Sequence, residues 1–96
     1  MKYLKVRWLH NIKEDPVIFY YELDNFDNEI KKIEIYVDGS VGYADDKFQL
    51  NGSIISECKI STFDEIAKQK EFIPENITKE EFYQIYQVRV KGLLAD

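Results

Sequence analysis

The sequence has few of the residues that usually announce chemistry. It holds one cysteine (Cys58), one histidine (His10) and one tryptophan (Trp8). A lone cysteine excludes an internal disulfide, on which a secreted domain of this size would normally depend, so a reducing, cytoplasmic setting is expected. No Ser-His-Asp or Cys-His pairing assembles from the sequence, and neither nucleotide fingerprint is present. No apolar run approaches the 18 residues that a membrane span needs. Met1 to Asn11 alternates instead of forming the unbroken apolar stretch of a signal peptide. Basic charge is also short: 13 Lys and Arg stand against 18 Asp and Glu, a net charge of −5. A chain of that sign repels a phosphate backbone, which excludes generic nucleic-acid binding and leaves a basic protein partner open.

What is abundant is aromatic. Seven tyrosines and six phenylalanines in 96 residues can fill a thin core beside a single sheet and argue against disorder. The length indicates one domain, residues 1–96.

Period-two patterns fill the first half. Lys2 to His10 alternates, with Leu4, Val6 and Trp8 on one side and Lys5 and Arg7 on the other. Pro16 opens a second strand, Val17 to Leu23. Asp24 to Asn28 is a turn by composition. Glu29 to Asp38 reads as a third strand. Asp38-Gly39 then marks a hairpin into Val41–Ala44. Asp45 to Gly52 reads as a loop, and Ser53 to Ile60 as a fifth, shorter strand. The period then changes. Thr62-Phe-Asp-Glu65 and Thr78-Lys-Glu-Glu81 are capping boxes. They predict a short helix ending near Gln69 and a second from Lys79 to about Lys91, which Gly92 would stop. The expected fold is α+β: an antiparallel sheet of four to five strands followed by two C-terminal helices packing on one face.

Acidic charge is concentrated. Between Lys13 and Glu29 six acids stand against one base, a net −5 that equals the charge of the whole chain. Glu14, Asp15, Glu22, Asp24 and Asp27 would steer a basic protein partner, with Tyr20 and Tyr36 as anchors. The plain alternative is two solvated turns that keep the chain soluble. Asp24 to Glu29 fails the calcium-loop spacing, because Phe26 takes the third position and the required glycine is missing, so no metal or cofactor is expected. His10 reads as a strand-end residue bonded to a loop carboxylate, and Cys58 as a small buried apolar residue. A second reading gathers Trp8, His10, Tyr43 and Cys58 into a small-ligand pocket or an uncharacterised active site. A third is self-association through an unpaired edge strand, so both monomer and homodimer are open.

The segments Tyr3-Leu-Lys-Val-Arg-Trp-Leu-His10, Pro16-Val with Tyr21-Glu-Leu-Asp24, Lys32-Ile-Glu-Ile-Tyr-Val-Asp-Gly39 and Glu71-Phe-Ile-Pro-Glu75 resemble an uncharacterised family of small bacterial proteins, a domain of unknown function. Such domains are similar in size and style to immunity proteins of bacterial toxin systems, which bind a toxin and block it. The resemblance implies a non-enzymatic inhibitor; it carries no site residues.

Overall fold

The computed structural model describes residues 1–94. Six strands form one antiparallel sheet: β1 (Lys2–Trp8), β2 (Ile18–Leu23), β3 (Glu29–Ile35), β4 (Val41–Ala44), β5 (Gln49–Leu50) and β6 (Phe72–Asn76). Their spatial order is β5-β4-β3-β2-β1-β6. The first five make a meander, and β6 returns to pair with β1 at the far edge. A short helix, α1 (Phe63–Ala67), precedes β6. The described residues close with one continuous helix, called α2 here: Lys79–Ile85, a π-helical turn over Tyr86–Val90, and a further turn over Lys91–Leu94. No helix among the described residues is long and apolar enough to cross a membrane.

The α+β class holds, with one more strand than expected and a different arrangement of helices. The helices lie on opposite faces of the sheet, not on one. One face carries Tyr20, Ile33, Ile35, Val41 and Tyr43 and is closed by Phe82 and Val90 of α2. The other carries Leu4, Val6, Tyr21 and Leu23 and is closed by Ile66 of α1 with Ile60 beside it. The segment expected as a fifth strand, Ser53 to Ile60, instead crosses this second face without pairing. Polar side chains of β3 hold it there. Ser53 donates to Glu34, Lys32 donates to the Ile54 carbonyl, and the Ser56 N–H donates to Glu29. Gly42 is needed for the crossing, because a Cβ there would collide with the Ser53 hydroxyl. The actual fifth strand is the two-residue Gln49–Leu50, inside what reads as a loop.

Local signals explain most boundaries. The Asp38-Gly39 hairpin forms as expected, with Gly39 at φ 87° closing a three-residue loop between Tyr36 and Ser40. Both capping boxes are made, at Thr62 with Glu65 and at Thr78 with Glu81. Strand β6 contains Pro74, which a sheet tolerates only at an edge, and β6 is an edge. The opposite edge strand is two residues long. Both edges are therefore poor templates for a second copy of the chain. Gly92 does not stop α2, which runs on to Leu94. Phe82, Tyr86 and Val90 are spaced by four, slightly more than one α-helical turn, and the wider π turn keeps all three against the sheet.

Under α2 lies a buried polar knot. Glu22 is 5% exposed, and its Oε2 accepts hydrogen bonds from the Tyr3 and Tyr83 hydroxyls, each at 2.7 Å. Lys31 donates to the Tyr83 oxygen at 3.0 Å and stands 3.8 Å from Glu22. Burial pulls the Lys31 ammonium down, but the Tyr83 hydroxyl and the Glu22 charge outweigh it and leave the group above its ordinary range. Removing the carboxylate leaves two hydroxyls and an ammonium, all partly buried, without their shared partner. Glu22→Ala should destabilise the chain by about 2–4 kcal/mol, and Tyr83→Phe by about 1–3 kcal/mol, read by urea unfolding. The tyrosines carry a pH signature as well. Burial, reinforced by the neighbouring carboxylates, raises Tyr3, Tyr21 and Tyr43 well above their ordinary 10.0. The unfolded chain ionises first, so this contribution to stability is intact below about pH 10 and falls as pH rises further. Tyrosinate absorbance should show at least these three staying protonated until the chain unfolds.

Candidate functional site

Strand β2 reads Ile-Phe-Tyr-Tyr-Glu-Leu, apolar in both phases, because both faces of the sheet are covered along part of its length. Alternation sends Phe19 and Tyr21 to the α1 side and Ile18, Tyr20 and Glu22 to the α2 side. On the α1 side the cover is incomplete. A helix of five residues and one extended segment cannot span six strands. The uncovered part displays Trp8, Phe19 and Phe72, which are only partly buried, beside the buried Tyr21. Trp8 packs on Phe72 with centroids 5.7 Å apart and on Phe19 at 6.3 Å, and Phe19 stacks on Tyr21 at 6.0 Å. Glu34 is the cross-strand partner of Phe19, so it belongs to the same face.

Between this row and α1 lies a cavity of about 280 Å³. Trp8, Phe19, Tyr21 and Phe72 form its sheet wall, and Ile60 and Ile66 its far wall. Val6, Ser61 and Gln69 complete the lining, which contains no charged side chain. Just beyond the cavity, His10 packs on Trp8 with ring centroids 4.2 Å apart. Its Nδ1 accepts the Ile12 N–H at 2.9 Å and its Nε2 lies 2.8 Å from the Pro16 carbonyl, which fixes the Nε2–H tautomer. Both nitrogens are spent on holding the loop before β2. The histidine is thus a loop clasp, but not through the expected carboxylate: both of its partners are backbone groups.

The structure does not gather the acids into one patch. Glu14 and Asp15 lie in the loop before β2, and Asp24 and Asp27 in the turn after it, so a six-residue strand separates the two pairs. That is roughly 20 Å at the usual strand rise. Glu22, between them, is buried in the knot under α2. Tyr20 is 7% exposed and belongs to the core on the same side, so it is no surface anchor. Asp24 accepts the Phe26 and Asn28 N–H groups and the Asn28 side-chain amide, and these bonds hold its carboxyl below the ordinary carboxylate value. Asp27 turns the chain at φ 67° and pairs with Lys2 at 2.9 Å. Asp15, which follows Glu14 in the chain, remains near Tyr36. Burial raises the Tyr36 phenol, and the nearby Glu34 and Asp15 carboxylates add to the shift.

The quartet of the pocket reading separates too. Trp8 and His10 are neighbours, but Tyr43 is fully buried on the opposite face, where its hydroxyl donates to Asp45 at 2.7 Å. Cys58 is exposed on the crossing segment, not buried as expected, because that segment lies over the sheet without pairing into it. Among the described residues no group of His, Cys, Asp and Glu is placed to hold a metal ion. Phe19, Phe72 and Ile66 were not foreseen as site residues. The signal for Phe19 is the two-phase apolar pattern of β2; nothing local marks Phe72, because β6 itself is hidden by Pro74.

A family model described as a domain of unknown function (DUF6881) matches residues 2–91. The chain belongs to that family. No curated protein and no solved structure matches it.

The role of His10 as a clasp has a measurable cost. His10→Ala should lower stability by about 1–2 kcal/mol through its two lost hydrogen bonds. Faster amide exchange at Ile12 with unchanged exchange in α2 is the expected pattern.

Proposed function

We propose that the chain is a non-enzymatic protein-binding module that works by neutralising a partner, in the manner of an immunity protein against a basic bacterial toxin in the cytoplasm. The observation that carries the reading is the open part of the α1-side face. It combines a row of half-buried aromatics with a charge-free cavity, and Asp15, with its chain neighbour Glu14, lies near Tyr36 at the same end of β2. Aromatic rings that are rigid and partly desolvated before contact are favoured anchors, because little side-chain entropy is lost when they are covered. Acids beside them speed the approach of a basic partner and help orient it.

A small-ligand pocket is the second reading, and the cavity beside Trp8 favours it. Two things weigh against it. About 280 Å³ is below the usual range for small-molecule sites, roughly 300–1,000 Å³. The lining also lacks the convergent polar groups that fix a ligand's orientation; Ser61, Gln69 and the Tyr21 hydroxyl are its polar members. No arrangement of nucleophile and base accompanies it.

The test is capture of a partner from the native host, followed by association kinetics. Glu14→Lys combined with Asp15→Lys should slow association about tenfold at low salt and much less at high salt, whereas Asp24→Lys should change it little. Equal effects from both ends of the sheet, or none from either, would remove this surface from the account.

A further inference from the structure

We infer that Ser53–Lys59 is a hinged strap that lifts off β3 and β4 as one unit while the sheet and α2 stay folded. Its position sets how much of the α1-side face is open. The inference goes beyond the binding reading above and does not depend on it. The segment crosses the sheet without entering its ladder, and side chains of β3 tie it down. The Ser53 hydroxyl donates to Glu34, Lys32 donates to the Ile54 carbonyl at 2.9 Å, and the Ser56 N–H donates to Glu29 at 3.0 Å. The bond from the Cys58 N–H to the Ser56 hydroxyl is internal and travels with the segment. Lys59 stands 5.9 Å from the centre of the Phe26 ring, but that ring is itself exposed, so little is desolvated there. The apolar grip is slight: Ile55 is half-buried, while Ile54 and Cys58 are exposed. What lies beneath is charged. Lys32 pairs with Glu29 at 2.9 Å, and their side chains are only 12% and 7% exposed. Lifting the strap leaves that pair intact and returns water to it, so opening uncovers charge and almost no apolar surface.

Both ends of the strap are fixed. Upstream, Asn51 and Gly52 turn the chain at φ 54° and 81°, and the Ser53 N–H closes the turn on the Leu50 carbonyl. The Asn51 side-chain amide pins that turn to the Val41 carbonyl at 2.6 Å. Downstream, the Ile60 N–H bonds to the Asp27 carbonyl at 3.0 Å, and the Ile60 side chain packs into the cluster under α1. Ser53 is the latch. It is 2% exposed and sits over Gly42, where a Cβ would collide with its hydroxyl. With the strap raised, Lys32 and Glu34, the cross-strand partners of Tyr21 and Phe19, adjoin the aromatic row as open polar surface. The strap therefore governs both the extent and the polarity of that face.

The experiment is amide hydrogen exchange of the full chain across a series of low urea concentrations. Three ties of ordinary strength should protect the Ser56 amide only about a hundredfold. Its exchange should hardly vary with urea, because the opening exposes little surface. Amides of β2 and β3 should exchange at least about tenfold more slowly and with the urea dependence of global unfolding. Ile60, beyond the hinge, should also exchange more slowly than Ser56. Gly42→Ala should speed exchange at Ser56 at least about tenfold and leave β2 and β3 as they were. Adding Ser53→Ala, which removes the colliding hydroxyl, should restore most of that protection. A urea dependence at Ser56 equal to that of β3 would show that the strap has no motion of its own and would overturn the proposal. So would Ile60 exchanging as fast as Ser56, because the whole cover would then open together. Gly42→Ala loosening β2 and β3 as much as Ser56 would overturn it as well. The wild-type urea series decides the matter without any variant.

Discussion

The Glu22 carboxylate, buried beneath α2 and shared by Tyr3, Tyr83 and Lys31, is the constraint from which the rest of the arrangement follows. A charge at 5% exposure is tolerated only where hydrogen bonds and an opposite charge surround it. Its partners come from β1, β3 and α2, so the knot closes only when the helix lies across the sheet in one register. An apolar contact could slide along the strands; two hydroxyls aimed at one oxygen cannot. The helix is thereby committed to one face. Phe82, Tyr86 and Val90 follow it down onto Tyr20, Ile33 and Tyr43, and the π turn absorbs the mismatch between their spacing and an α-helical pitch.

With α2 committed, the other face is covered, among the described residues, by α1 and the crossing segment. The polar side chains of β3 that point there are not left to solvent. Glu29, Lys32 and Glu34 become the posts to which residues Ser53 to Ser56 are tied, and Gly42 supplies the clearance. That cover reaches the end of the sheet near Asp27, where the Ile60 N–H bonds to the Asp27 carbonyl, and stops short of Trp8 and Tyr36. The half-buried aromatics thus have a structural origin: they lie on the part of a two-faced sheet that α1 and the crossing segment do not cover. Glu14 and Asp15, at the same end of β2, turn an incomplete cover into a surface with chemical character.

Much of this was legible in the chain. Strands β1 to β4, the Asp38-Gly39 hairpin and both capping boxes rest on short-range rules, and short-range rules hold there. What escaped depends on long-range pairing. Pro74 hides β6 because proline argues against a strand unless the strand is known to be an edge. Gln49–Leu50 is too short to carry a period, and Ser53 to Ile60 has strand-like residues but finds no free neighbour. The alternation of Lys32 and Glu34 reads as a solvated face, yet the chain folds back over it. The apolar Val17–Leu23 run was the available sign of a sheet covered on both sides. The acids show the same limit. Their density between Lys13 and Glu29 is visible in the sequence, but β2 divides them between two ends of the sheet, and Glu22 points inward by the parity of its strand.

The central claim is that the Glu22-anchored helix buries Tyr20, Tyr43 and Phe82 on one face, while the other leaves Trp8, Phe19 and Phe72 partly open. Line broadening of the aromatic resonances by a neutral, soluble paramagnetic chelate tests it directly. The account predicts strong attenuation at Trp8, Phe19, Tyr36 and Phe72, with Tyr20, Tyr43 and Phe82 untouched. Protection of Trp8 and Phe72 equal to that of Phe82, or attenuation at Tyr20 and Tyr43, would contradict it.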